Sequence, residues 1–371
     1  MYRNKSVYEN TIVENRYSEK RLIASKYKVA AHKGKIEKYL KDGRIYPVTL
    51  ELDLTSRCNM NCPDCPSGRA DKTDNLNISF IDRLLSILGH NTEGLLLTGG
   101  ETTISPLFSS TLKKAREKGF RNIAVVTNGS RLGDLPVYSA LLEHASTIRI
   151  SMYDSKKTVC EGSGPTLKKI EILRNRIEKS GSKLEIGVSI LTREHNRSEL
   201  KKISEEIESA GAHWVYFHPF CSKWSIGEPE IVEQADTEQM ILELKQSEEN
   251  KIEIFYPKDR YSDEEISFNG YHGSHFLMVV GADGKNYLGA ETKYDPSMVI
   301  ADLNENMGDN FLWDQERIKK ISSVMSNSFK AIRSRHRGGL YSDLIERLKK
   351  KEERYFPYFE NPNYFKYPFI L

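Results

Sequence analysis

The sequence predicts an α/β fold built on a parallel sheet, and three observations carry that prediction. Six strand-like runs recur, at Val48–Leu54, Gly94–Thr98, Asn122–Thr127, Thr147–Met152, Leu184–Leu191 and Trp214–Pro219. Helix-like runs fall between them, at Ser79–Leu88, Pro106–Lys118, Leu135–His144, Thr166–Lys179 and Arg197–Ala210. Strands that alternate with helices pair in parallel, because each helix carries the chain back to the same end of the sheet. Glycine and polar residues also gather just beyond the strands, where loops are free to vary and sites are built.

Composition sets the outer bounds. A chain of 371 residues can bury a full-sized core and has room for a smaller unit beside it. Its 38% apolar and 29% charged residues are those of an ordinary soluble protein. No apolar run is long enough for a membrane-spanning helix, and Met1–Asn10 lacks the apolar stretch of a signal peptide. The net charge of +3 is too small to imply a polyanionic partner. Basic residues do cluster between Arg16 and Arg44 and again at Arg333, Arg335, His336 and Arg337. Solvated helix faces account for these, with an RNA-contacting surface as the alternative. Of the five cysteines, three share one motif and two, Cys160 and Cys221, are scattered. That usage suits a reducing cytoplasm rather than a disulfide framework.

Residues 1–45 read as a helical extension with a sparse stripe of Leu22, Ile23, Val29, Ile36 and Leu40. The first strand then runs straight into Cys58-Asn59-Met60-Asn61-Cys62-Pro63-Asp64-Cys65, a C-x3-C-x2-C spacing. Three sulfurs this close can converge on one iron–sulfur cube and leave the fourth iron without a protein ligand. A disulfide plus a free thiol would suit a secreted chain, and a zinc site would need a fourth Cys or His, for which His90 is the nearest residue downstream. Here the sequence resembles the radical S-adenosylmethionine superfamily, whose signature is this spacing on the loop after the first barrel strand. The resemblance implies a partial (β/α)6 TIM-like barrel over residues 46–235 and a single [4Fe-4S] cluster on Cys58, Cys62 and Cys65. It also implies S-adenosylmethionine, bound to the open iron through its amino and carboxylate groups. One-electron reduction, by a donor such as flavodoxin or ferredoxin, would then release the 5′-deoxyadenosyl radical.

Later strand ends fit the same resemblance. After the second strand comes Thr98-Gly99-Gly100-Glu101-Thr102, where the superfamily places its methionine-amino-binding segment, so Gly99, Gly100 and Glu101 are assigned to the cofactor. Asn128, after the third strand, is a candidate for polar contact or a cap on the strand end. The fourth strand ends in Ser151-Met152-Tyr153-Asp154, similar to a Ser-Leu-Asp-Gly segment whose serine meets the cofactor ribose; Ser151 carries over, Asp154 less directly because Ser155 replaces the glycine. Ser189 and Arg193, at the fifth strand, could reach the ribose or carboxylate, or Arg193 could be a plain surface residue. One departure is Asp64, where the superfamily usually has an aromatic residue against the adenine. Met60 or Phe217–Phe220 must then supply that packing.

Beyond the barrel, residues 236–256 read as a helix and a short strand leading outward. His275–Glu291 reads as a hairpin about Asp283-Gly284. It resembles the hairpin of SPASM and twitch extensions, here over residues 236–328, but His272 and Gly273 and later Gly289 and Ala290 stand where auxiliary-cluster cysteines belong. Asn306–Ile318, with Trp313, is similar to the helix of the same extension. A single cluster is therefore expected, and with it a redox-neutral outcome such as epimerisation or rearrangement. The substrate is expected to be a peptide or a small natural product: a sugar, aminocyclitol or nucleoside. Cys221 is the better candidate for a hydrogen-atom donor and Cys160 the weaker. Residues 329–371 form a charged helix and an aromatic tail, expected to dock on the barrel, with a dimer contact or substrate lid as alternatives. An RNA-modifying enzyme and a catalytically inactive scaffold are the alternative functions.

Overall fold

The structure, a computed structural model, describes residues 27–62, 65, 70–71, 73–152, 164–222, 230–231, 235–247, 251–257, 266–328, 337–350, 365–367 and 369–371. Among them six βα units follow the predicted order: β1 (Thr49–Asp53), β2 (Gly94–Thr98), β3 (Asn122–Thr127), β4 (Thr147–Ser151), β5 (Glu185–Thr192) and β6 (Trp214–Pro219). A helix α1 (Lys33–Asp42) precedes them. The crossovers are α2 (Ile78–Leu88), α3 (Phe108–Glu117), α4 (Leu135–His144), α5 (Gly164–Ser180) and α6 (Leu200–Ser209). Neighbouring strands from β1 to β6 are all parallel. This is a partial TIM-like barrel.

Strand alternation sorts the side chains onto two faces. Leu50, Leu52, Leu95, Leu97, Ile148, Ile150, Val188, Ile190, Val215 and Phe217 point outward and pack with the helices in one buried core. The alternate residues face the barrel interior, which is unusually polar. Thr49, Glu51 and Asp53 of β1 are each buried there despite their polarity.

Three features differ from the sequence expectation. The helix α7 (Ala235–Gln246) is followed by β9 (Glu253–Phe255), which does not lead out of the barrel: it pairs in parallel with β6. The hairpin of β10 (Leu277–Val280) and β11 (Lys285–Tyr287) likewise joins the same sheet, because β10 pairs in parallel with β1. With β12 (Val299–Asp302) the sheet has ten strands, ordered β12-β11-β10-β1-β2-β3-β4-β5-β6-β9. An open barrel has two free edges, and pairing both satisfies their exposed backbone groups. The expected helix over 306–318 is broken into α8 (Leu303–Asn306), a 3-10 turn Phe311–Trp313 and α9 (Gln315–Ser323), which restarts where the Asp314 carboxylate accepts from the Glu316 and Arg317 N–H groups. Trp313 packs edge-on against Tyr46.

The described end of the aromatic tail docks on the barrel, while Tyr355, Phe356, Tyr358, Phe359 and Tyr364 lie outside the described residues. After α10 (Arg337–Lys349), Phe365–Tyr367 and Phe369–Leu371 cross the starts of the strands. Tyr367 Oη donates to Glu185 and accepts from Trp214 Nε1 (2.9 Å), and Lys366 bridges Glu185 (2.9 Å) and Glu253 (2.6 Å). Thr49 Oγ1 donates to the Phe369 carbonyl at 2.6 Å. A Cβ on Gly94 would lie 1.6 Å from that carbonyl, so only glycine lets the tail approach β2. Residues 1–26, with Leu22 and Ile23 of the apolar stripe, lie outside the described residues.

Candidate active site at the carboxyl ends of the strands

The cysteine loop leaves β1 and lies across the first turn after β2. Gly100 N–H donates to Thr55 O (3.0 Å) and Glu101 N–H to Arg57 O (2.7 Å). A Cβ on Gly100 would sit 2.0 Å from Arg57 O, and Gly99 has φ +114° with its missing Cβ 2.7 Å from Thr55 O. The two glycines thus serve the close approach of the loop backbone itself. Glu101 is 1% exposed, and its carboxylate accepts from Thr103 N–H (3.1 Å), Thr103 Oγ1, Thr127 Oγ1 (2.6 Å) and Asn128 N–H (2.6 Å). It ties the end of β2 to the end of β3.

That tie places Asn128 beside the thiols. Its Nδ2 donates to Asn59 Oδ1 (2.8 Å) and lies 3.9 Å from Cys58 Sγ, while Oδ1 accepts from Ser130 N–H at 2.8 Å. Met60 N–H also donates to Cys58 Sγ, at 3.4 Å. Asn128 therefore both meets the cysteine loop through its Nδ2 and caps the turn after β3 through its Oδ1. Cys58 and Cys65 are half-buried, Cys62 is exposed, and none of the three is in a disulfide. Cys65 N–H donates to Cys62 O at 3.3 Å, closing a turn. Among the described residues, no three His, Cys, Asp or Glu side chains are gathered closely enough to hold a metal ion. Asp64 lies outside the described residues, as do Asp154 and Cys160.

The remaining predicted residues surround this mouth. Ser151 ends β4, half-buried. Ser189 is fully buried, its Oγ 3.1 Å from His218 Nε2 on β6. The Arg193 guanidinium stacks on the Phe220 ring at 3.5 Å. Cys221 opens a short strand β7 (Cys221–Ser222) immediately after β6, paired with β8 (Glu230–Ile231); its side chain is outside the description. Met60 is exposed and Phe217 is buried among the outward core residues, so Phe217 does not face the mouth.

Sequence reasoning missed the charges beneath the mouth. Lys293 Nζ lies 2.8 Å from Asp53 and 3.0 Å from Glu51, and Tyr294 Oη donates to Asp53 at 2.7 Å. Arg337 joins Glu51 (2.7 Å) to Glu291 (3.2 Å). Burial alone would raise Glu51, but Lys293 and Arg337 outweigh it and hold its carboxyl at about 2. The signal was present in Leu50-Glu51-Leu52-Asp53-Leu54: acids alternating with leucines on a doubly covered strand require buried cations. The residues in place of auxiliary cysteines are equally committed. A Cβ on Gly273 would lie 2.2 Å from Gly338 O, and one on Gly289 2.9 Å from Tyr271 Oη. His272 is bonded to Tyr39 Oη (2.7 Å) and Glu346 (2.6 Å).

No protein-family model matches the chain. It is 31% identical over 117 residues to a probable GTP 3′,8-cyclase of Methanothermobacter thermautotrophicus, covering 31% of this chain and 37% of that protein. It is 29% identical over 101 residues to the 7,8-dihydro-6-hydroxymethylpterin dimethyltransferase of Methanocaldococcus jannaschii, covering 26% and 20%. The chain thus spans about a third of the one relative and a fifth of the other. The fold matches Streptococcus suis SuiB bound to the precursor peptide SuiA, with TM-score 0.61 at 12% identity over 91% of this chain and 80% of that one. SuiB bound to S-adenosylmethionine gives the same TM-score of 0.61. These similarities, in part of the sequence and in the fold, support the resemblance to the radical S-adenosylmethionine superfamily. The cofactors of these radical enzymes are S-adenosylmethionine and a [4Fe-4S] cluster. The donor chemistry fits such a cluster: three cysteines on one short loop, with N–H groups directed at Cys58 Sγ as they are at cluster sulfurs, although the three described thiols are not drawn together here. Among the described residues no helix is long and apolar enough to cross a membrane.

Proposed function

We propose that the chain is a radical enzyme that removes a hydrogen atom from a C–H bond of a peptide or small natural-product substrate, with a redox-neutral outcome such as epimerisation or rearrangement. The observation that carries this reading is the C-x3-C-x2-C loop leaving β1, whose backbone packs on Gly99, Gly100 and Glu101 and whose Cys58 lies beside Asn128 at the end of β3. When bound, the cluster and S-adenosylmethionine supply one-electron reduction and a 5′-deoxyadenosyl radical. The chain's own part is to hold, orient and exclude water. Cys58, Cys62 and Cys65 hold the cluster, with the Met60 N–H and the Asn128 amide easing the negative charge on Cys58 Sγ. Glu101 acts through Asn128 and the loop, since four protein donors already occupy its carboxylate. Gly99 and Gly100 keep the mouth close-packed, and Ser151, Ser189 and Arg193 offer polar contacts to the bound cofactor. Cys221, at the end of β6, returns a hydrogen atom to the product radical. The peptide bound to SuiB supports the peptide class, and relatives named for GTP support the nucleoside class. A small reductant protein such as flavodoxin or ferredoxin completes the cycle.

The test begins with anaerobic reconstitution and counting of iron and sulfide. About four irons per chain are expected, falling sharply in Cys58→Ala, Cys62→Ala and Cys65→Ala. With a strong reductant the wild type should form 5′-deoxyadenosine and these variants none. Cys221→Ala should keep 5′-deoxyadenosine and lose product. Iron retained only through Cys160 or Cys221, or no cleavage by the wild type, would overturn the reading.

A further inference from the structure

Below the cysteine loop the sheet's concave face encloses a cavity of about 80 Å³. A buried water needs about 10–15 Å³ on this measure, so the space suits several waters or one small oxyanion. Its walls follow from register. Arg149 of β4 lies opposite Gly187 of β5, and Gly187 opposite Trp214 of β6. A Cβ on Gly187 would fall 2.1 Å from the indole, so the glycine makes room for the ring in this row. Lys28, Arg149 and Arg337 bring three cations to the same cavity.

The three are not equally engaged. Arg337 is accounted for by Glu51, Glu291 and the Leu371 carbonyl. Arg149 has no hydrogen bond or ion pair among the described residues: its Nε is buried without a partner, and its guanidinium carbon stands 5.9 Å from the centre of the Tyr216 ring. Lys28 is 3% exposed, and burial first, then the charges of Arg337 and Arg149, lower it to about 7. Arg149 is half-buried with its Nε enclosed, and its planar fork matches the oxygens of a carboxylate or phosphate.

We propose that this cavity binds a small oxyanion, the carboxylate or phosphate group of a ligand, with Arg149 as its anchor and Lys28 as the second positive charge. Trp214 and Tyr216 form the walls around the anion, and the tail residue Tyr367 closes the space by holding the Trp214 indole. No cysteine contributes, so the site stands apart from the radical reaction and can be tested without a cluster.

The experiment is thermal unfolding of the full chain at constant ionic strength, titrated separately with sodium orthophosphate and sodium acetate. A saturable rise in unfolding temperature is expected with one of them, and which one identifies the group the site takes. Sulfate- and phosphate-type salts also stabilise proteins by exclusion, but that rise does not saturate and is blind to one side chain. Arg149→Met should weaken the apparent affinity about thirtyfold, whereas Arg131→Met, at an exposed pair with Asp134, should leave it unchanged. In buffer without either anion, Arg149→Met should be at least as stable as the wild type, since it removes a half-buried cation that has no acceptor among the described residues. Should that variant not fold, Arg149→Lys decides, because the fork is lost while the charge is kept. No saturable rise in the wild type, an unchanged affinity in either Arg149 variant, or a clear loss of anion-free stability in Arg149→Met overturns the proposal.

Discussion

Lys293→Met isolates the buried charges beneath the mouth. Lys293 is 9% exposed in its side chain and lies between Asp53, fully buried, and Glu51, 4% exposed. Removing one partner of such a group costs about 3–5 kcal/mol, because the remaining charge is left in a medium that cannot solvate it. Unfolding entropy near the midpoint is about 2.1 cal/mol/K per residue, so the cost converts to a fall of about 4–6 °C for a chain of 371 residues. The loss should depend on pH. Glu51 keeps Arg337, but Asp53 keeps only the Tyr294 hydroxyl among the described residues. Burial already lifts the Asp53 carboxyl above its unfolded value, and loss of Lys293, which opposes that shift, lifts it further. A carboxyl raised in the folded state favours folding at low pH and opposes it as pH rises through the raised value. The deficit relative to wild type should therefore narrow as pH falls, and Asp53→Asn added to Lys293→Met should recover part of it. Calorimetry of the cofactor-free protein reads all three. A midpoint change under about 1 °C, or a deficit that does not change with pH, would refute the buried-charge account.

Glu51 predicts a second pH effect, in the wild type. Its carboxyl is depressed from 4.5 to about 2, so it stabilises the fold above its unfolded value and loses that contribution as pH falls toward 2. At 1.36 kcal/mol per pH unit this is about 3 kcal/mol, checked by comparing Glu51→Gln with wild type in urea melts at about pH 6 and pH 3; a constant difference between them would contradict it. Glu101→Gln should cost about 1–3 kcal/mol, because an amide nitrogen would then face the donors of Thr103, Thr127 or Asn128, and iron retention after reconstitution should fall with it. Urea midpoints and iron counts equal to wild type would show that the carboxylate does not position the loop.

The six βα units were readable because buried parallel strands are apolar runs, as in Gly94-Leu95-Leu96-Leu97-Thr98. The thiol loop was readable from spacing alone. What escaped were relations between distant segments. Lys293 and Asp53 are 240 residues apart, and no local pattern pairs them. Glu253–Phe255 is a three-residue strand, too short to announce that it joins β6. Glu101 shows the limit of motif reading: the Gly-Gly-Glu segment sits where expected, yet the side chain's partners are hydroxyls and N–H groups of Thr103, Thr127 and Asn128. Arg149 was hidden for a related reason. A cation on a strand looks like a surface residue until the register shows that it points inward.

The bond from Thr49 to the Phe369 carbonyl joins positions 320 apart. During synthesis the ring of strands must wait for that late segment before Trp214, Glu185 and Glu253 acquire their bridges. A nascent chain halted before Phe365 would carry its apolar sheet face already folded against helices but its hollow side unlatched. Closure by so remote a stretch slows assembly, since the loop entropy is lost before the contact is gained.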